Sequence, residues 1–217
     1  MHQLPDTTLD AITLLLAPTL RASNHLLIQS TLSSFLPFFI PHIPISTHAH
    51  LKLALNQFLP PLLEKLNDPK EKIATPARLS IGLLGKKCFE AEAGQTKDIS
   101  TKGKEKESLI GFWERNVKDG ALMGKGWRGK VEGMKLILGL KGEVGAKMTL
   151  KPWLASLVEL LEDGDSNVRE TAREVSLLYS GQADGRRWLL YCRHQRHRQV
   201  QRRNSRSFCK LDKYALQ

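Results

Sequence analysis

Two stretches of this chain, 95 residues apart, overlay without a gap. Residues 62–77 read "LLEKLNDPKEKIATPA" and residues 157–172 read "LVELLEDGDSNVRETA". Leu62 falls on Leu157, Leu66 on Leu161, Asp68 on Asp163, Ile73 on Val168, Ala77 on Ala172 and Arg78 on Arg173. Each stretch runs from a leucine-rich amphipathic helix through an acidic turn into the start of a second amphipathic helix. The offset is about twice the ~40–47 residues of a two-helix HEAT or armadillo unit, so a further unit is expected between them. A unit of this kind cannot bury its own apolar face and must stack on its neighbours.

The rest of the chain divides to match. Residues 8–20 and 25–39 carry apolar positions at helical spacing, with Leu27, Thr31, Phe35 and Phe38 on one face of the second segment. Pro41 and Pro44 enforce an extended connector. Leu51, Leu55, Phe58, Leu59, Leu62, Leu63 and Leu66 outline a helix over 48–66, bent at Pro60-Pro61. Asp68-Pro69 predicts a capped restart with proline at the first helical position, and the next helix runs to about Cys88 with Pro76 as a discordant residue. Residues 91–107, "AEAGQTKDISTKGKEKE", are polar and aperiodic and read as a mobile insertion. A third pair covers 108–118 and 128–140, and a fourth covers 150–161 and 166–179. Thr149 is available to cap the first helix of the fourth pair, and Asp165 or Ser166 the second. The expected fold is therefore all-α: an α-solenoid of about four HEAT-like helix pairs over residues 1–180, with an irregular basic C-terminal tail over 181–217.

The formal charge of +11 is unevenly distributed. Residues 181–217 hold ten Lys or Arg and two Asp, which leaves only +3 for the first 180 residues. Three cysteines, two of them near the end, make no disulfide framework and suit a reducing compartment. The apolar run "AITLLLAP" follows Asp6 and Asp10 rather than the positive charge of a signal peptide, and no run approaches 18 apolar residues. No membrane association is expected.

With the pairs and turns in view, the chain resembles a TOG domain of the CLASP family of microtubule-associated proteins. The resemblance rests on "FLPPLLEKLNDPKEKI", "GWRGKVEGMKLI" and, most specifically, "LVELLEDGDSNVRETAREV", which together span about residues 47–180. It implies a TOG-type paddle whose intra-pair turns line one narrow edge, and an edge that contacts tubulin or the microtubule lattice. The implied site comprises Asn24 and His25 in the first turn, Lys70 and Lys72 in the second, Lys125, Trp127, Arg128 and Lys130 in the third, and Asp165, Asn167 and Arg169 in the fourth. It further implies a role in stabilising microtubules, for example in the mitotic spindle. The expected location is the cytoplasm and cytoskeleton, with access to the nucleus during mitosis. The first turn, "RASNHL", departs from the family in lacking an aromatic residue, and Pro76 departs from a regular TOG helix.

Each of these residues also has a structural reading. Lys70 and Lys72 suit a solvated helix start, Arg169 suits an internal pair with Asp165 or Glu170, and Trp127 suits a core position beneath its turn. Trp113 and Trp153 lie on apolar stripes and read as core. No catalytic constellation is visible: "GKGWRGK" has Gly126 where a phosphate loop needs Ser or Thr, and no cofactor, metal or small-molecule substrate is expected. Cys192, His194, His197 and Cys209 lack the paired-cysteine spacing of a zinc site. The abrupt change from lysine to arginine after Tyr179 is what a retained intron or frame shift near residue 180 would produce. An alternative to the tubulin reading is a generic HEAT scaffold whose basic tail, chiefly residues 186–206, binds an acidic protein surface or nucleic acid weakly by counterion release.

Overall fold

The computed structural model describes residues 5–45, 48–93, 108–149 and 151–180. The predicted tail over 181–217 and most of the predicted insertion lie outside them. Residues 91–93, assigned above to the insertion, instead form the last turn of a helix.

The described residues form an all-α solenoid of stacked helix pairs. In chain order the helices are α1 (Asp6–Leu20), α2 (His25–Ser30), α3 (Leu36–Phe39), α4 (His48–Lys65), α5 (Glu71–Ala93), α6 (Leu109–Val117), α7 (Trp127–Val144), α8 (Leu154–Leu160) and α9 (Ser166–Ser180). A π-helical turn, Thr31–Phe35, joins α2 to α3, and another, Lys118–Leu122, extends α6. One layer runs α1, α4, α6 with its π-turn, α8; the other runs α2–α3, α5, α7, α9. Each pair contributes one helix to each layer, and the core lies between them.

The leucine pattern of α4 is borne out in full, with Leu51, Leu55, Phe58, Leu59, Leu62, Leu63 and Leu66 all buried, and the helix runs unbroken through Pro60 and Pro61. The 95-residue repeat extends to individual hydrogen bonds. Asp68 Oδ1 accepts the Lys70 amide at 2.8 Å, and Asp163 Oδ1 accepts the Asp165 amide at 2.9 Å. These are the same Asx-turn at matching positions. The predicted restart at Asp68-Pro69 therefore shifts by two residues: Lys70 is the cap, its carbonyl accepting from Ile73 and Ala74. At the matching place Asp165 caps α9, its carboxylate accepting the amides of Asn167 and Val168. The predicted helix over 150–161 begins instead with a 3-10 turn, Lys151–Trp153.

One expectation about faces needs correction. On the α2–α3 segment, Ile28, Leu32, Leu36, Phe39 and Ile40 face inward, while Leu27, Phe35 and Phe38 are exposed. Both sides of this segment are apolar, so helical spacing alone does not decide which is buried. On α9, Val168, Ala172 and Val175 are fully buried against the solenoid, and Glu170, Arg173, Glu174 and Leu177 are exposed.

The first two pairs are latched by His50 of α4. Its Nδ1 lies 2.7 Å from Asp10 Oδ1, and its Nε2 lies 3.4 Å from Asp6 Oδ1, both on α1. The hydrogen bond to Asp10 raises the His50 pKa above the ordinary 6.5 against the opposing effect of burial, and the two carboxylate charges add to the rise. A raised histidine pKa contributes stability that is complete below 6.5 and lost as pH rises through the folded-state value. The urea midpoint of the chain should therefore exceed that of His50→Gln most at about pH 6, and the gap should shrink by about pH 8.5. Paired urea titrations at the two pH values check this.

Candidate functional site

The intra-pair turns come to one edge of the solenoid, and specific bonds tie three of them together. Asn67, in the turn between α4 and α5, reaches to the start of α7, where its Oδ1 accepts the Gly129 amide at 2.9 Å. The approach is close: a Cβ on Gly129 would lie 2.7 Å from Asn67 Oδ1, and one on Gly126 would collide with the same atom. Glycine at both positions therefore allows the second and third turns to touch. From α7, Lys130 Nζ reaches the fourth turn and bonds Asp163 Oδ2 at 2.7 Å, with both side chains largely buried. The first turn is held locally, by Asn24 Oδ1 accepting the amides of Leu26 and Leu27.

The implied site residues separate into two groups. Those engaged within the fold are Asn24 and Asp165, which cap helices, Lys130, which pairs with Asp163, and Arg169. The Arg169 guanidinium donates through Nη1 to the carbonyls of Asp163 and Gly164, at 2.8 and 2.9 Å, and so closes the fourth turn from below. Those turned to solvent are His25, Lys70, Lys72, Lys125, Trp127, Arg128 and Asn167. Trp127 is not core: it is 39% exposed, and the Arg128 guanidinium lies 4.6 Å from its ring centroid. A cation over an indole face is held by the ring quadrupole, which fixes both side chains in one exposed plate. Trp113 and Trp153, by contrast, are fully buried and meet edge to face.

Beside this plate lies a cleft of about 230 Å³ between the second turn and α7, lined by Pro69, Glu71, Thr75, Trp127, Arg128 and Lys135 among others. Its floor is stiffened by Glu132, which bonds Arg78 of α5 at 2.7 Å and Lys135 at 2.9 Å. The charge on the edge is graded. Exposed cations occupy the first three turns, as Arg21, then Lys70 and Lys72 beside Asp68 and Glu71, then Lys125 and Arg128. The fourth turn carries Glu162, Asp163 and Asp165, and its own cation, Arg169, is bonded to its backbone. Asn67, Asp163 and Arg21 were not among the expected site residues. The Gly126-x-x-Gly129 spacing was the one sign that another side chain approaches there.

Burial opposes ionisation of Asp163, but the Asp165 amide, the Lys130 ammonium and the Arg169 charge outweigh it and hold the carboxyl below its ordinary value. A depressed carboxylate pKa contributes stability that is present above the ordinary value of 3.8 and lost as pH falls through the folded value. Lys130→Met should cost about 1–3 kcal/mol at neutral pH, and the cost should diminish below about pH 4 as Asp163 takes up a proton. Gly129→Ala should destabilise through the Asn67 contact at all pH values. Denaturant melts of both variants across this range distinguish the two behaviours.

No family model matches the chain. Two relatives, each named Protein STU1 and from Cryptococcus neoformans var. neoformans serotype D (strains B-3501A and JEC21), are 47% identical to it over 190 residues. A third of the same name, from Mycosarcoma maydis, is 35% identical over 112 residues, covering 52% of this chain and 8% of the relative. The matches to the two Cryptococcus proteins cover 80% of this chain and 15% of each relative, so the chain spans a small part of their length. The chain is thus homologous, over most of its length, to a segment of the fungal proteins named Protein STU1.

Proposed function

We propose that this solenoid is a TOG-type, tubulin-binding module of a CLASP-like microtubule-associated protein. The observation that carries the reading is the exposed Trp127–Arg128 plate, on an edge whose second and third turns also expose Lys70, Lys72 and Lys125. Such a surface suits an acidic partner: tryptophan and arginine are the side chains that most often anchor an interface, and surrounding cations speed encounter with a negative surface. Homology to Protein STU1 supports a microtubule-associated role, and the resemblance to the CLASP family supports tubulin as the ligand. The binding surface in this reading is centred on the second and third turns, since the fourth is acidic and internally bonded.

The module works as a scaffold and performs no chemistry. By binding the assembled or curved form of its partner in preference to the alternative, it shifts an equilibrium towards polymer persistence. In this reading the protein works on microtubules and the spindle, in the cytoplasm and, during mitosis, in the nucleus.

Trp127→Ala and Arg128→Glu should each weaken co-elution of the full chain with unpolymerised tubulin by about tenfold or more, with unfolding temperature unchanged. The attraction should weaken between low and moderate salt. Size-exclusion chromatography beside a microtubule pelleting assay provides the measurement. Binding that ignores both substitutions and disappears on removing residues 181–217 would overturn the reading in favour of nonspecific attraction by the basic tail.

A further inference from the structure

The cleft between the second turn and α7 is braced from both sides. One wall is formed by the turn and the start of α5, the other by the start of α7. Asn67, just before the first wall, bonds the Gly129 amide, and Arg78, just after it, bonds Glu132 of the second. These cross-links fix the distance between the walls, so the space exists before a partner arrives and costs little to organise on binding.

The floor is apolar, made by Leu66, Ala74 and Val131, and the rim is charged. Asp68 and Glu71 stand on the α5 side, and Arg128 and Lys135 on the α7 side. Lys135 is already paired with Glu132 at 2.9 Å. Arg128, held over the Trp127 ring, has no carboxylate partner among the described residues.

Volume and lining together limit the occupant. The cleft measures about 230 Å³. That is below the ~300–1,000 Å³ of small-molecule sites and above the ~150 Å³ that holds a benzene ring. A space of that size takes one large side chain and not a cofactor. An apolar floor under a polar rim is the arrangement of an interface core, where the entering side chain displaces water that the floor cannot hydrogen-bond. The unpaired cation on one lip calls for a carboxylate beside that side chain.

We infer that the cleft receives a single apolar side chain of tubulin, of leucine, methionine or phenylalanine size, on a segment whose neighbouring carboxylate pairs with Arg128. This rests on the tubulin-binding reading above and adds a socket to it: the basic edge attracts an acidic partner, and the cleft fixes where that partner sits. The opposite charges of the two lips set the direction of the entering segment, since a carboxylate is drawn to Arg128 and repelled by Glu71.

Thr75 tests this, because it lines the cleft and is half-buried, so a larger side chain there fills the space without entering the core. The measurement is surface plasmon resonance of unpolymerised tubulin on the immobilised full chain. Thr75→Trp should weaken binding by about tenfold or more through a faster off-rate. The on-rate and its salt dependence should be kept, because no charge changes. Thr75→Ser should stay within about twofold of the wild type. Thr75→Met, flexible enough to fill the cleft without strain, gives the same reading should the tryptophan variant melt early. Losses from Thr75→Trp and Arg128→Gln should fall short of additive, because the two positions hold one segment, and fully additive losses overturn the pairing with Arg128. Tubulin binding that responds to Trp127→Ala and Arg128→Glu but not to Thr75→Trp or Thr75→Met overturns the cleft inference and leaves the tubulin reading standing. A folded wild-type chain that binds no tubulin overturns both.

Discussion

Trp113 of α6 and Trp153, in the 3-10 turn before α8, meet edge to face with ring centroids 5.9 Å apart, both fully buried. The indole of Trp113 also donates to the Ile81 carbonyl of α5 at 3.1 Å, so one side chain joins the second, third and fourth pairs. No single helix pair could enclose either ring. Mutual coverage of this sort holds a solenoid together, and it obliges successive pairs to stack in the same sense. Once they do, their turns must emerge along one edge, where neighbouring turns are near enough to bond. The Asn67–Gly129 and Lys130–Asp163 bridges are consequences of that stacking, and in return they fix the spacing of the turns.

The edge divides its side chains between holding the turns and facing outward, and the division follows local chemistry. Where a turn is acidic, as at residues 162–165, a nearby cation is drawn in: Lys130 satisfies Asp163, and Arg169 ties the backbone. Where the second turn meets the third, the contact is made by Asn67 and Gly129, and Lys125 and Arg128 remain in solvent. Arg128 stacks on Trp127 instead, giving the exposed plate a defined geometry. The residues that shape the edge and those available to a partner are largely different residues, even within one turn.

The repeat was legible in the sequence down to single hydrogen bonds. The match of Asp68 with Asp163 reflected an Asx-turn made twice, and the matches of Ile73 with Val168 and Ala77 with Ala172 reflected equivalent buried positions. What escaped reading depends on distant parts of the chain. Lys125 and Lys130 look alike in sequence, and only the approach of Asp163, 33 residues on, takes one of them out of solvent. Trp127 was balanced between core and surface because it continues the apolar spacing of Val131 and Met134 yet stands at the first residue of α7, where the turn leaves it 39% exposed. The α2–α3 segment was misread because it is apolar on two sides, and which side faces inward is set by α5 and α1 rather than by its own spacing.

The central claim is that the second and third turns form the working surface, with the fourth serving as their brace. Amide hydrogen exchange of the full chain, with and without unpolymerised tubulin, tests it directly. The account predicts added protection over residues 66–72 and 123–130, little change at the exposed face of α1 and α2–α3, and little at residues 170–177 of α9. Protection confined to residues 181–217, or centred on the fourth turn without the third, would contradict it.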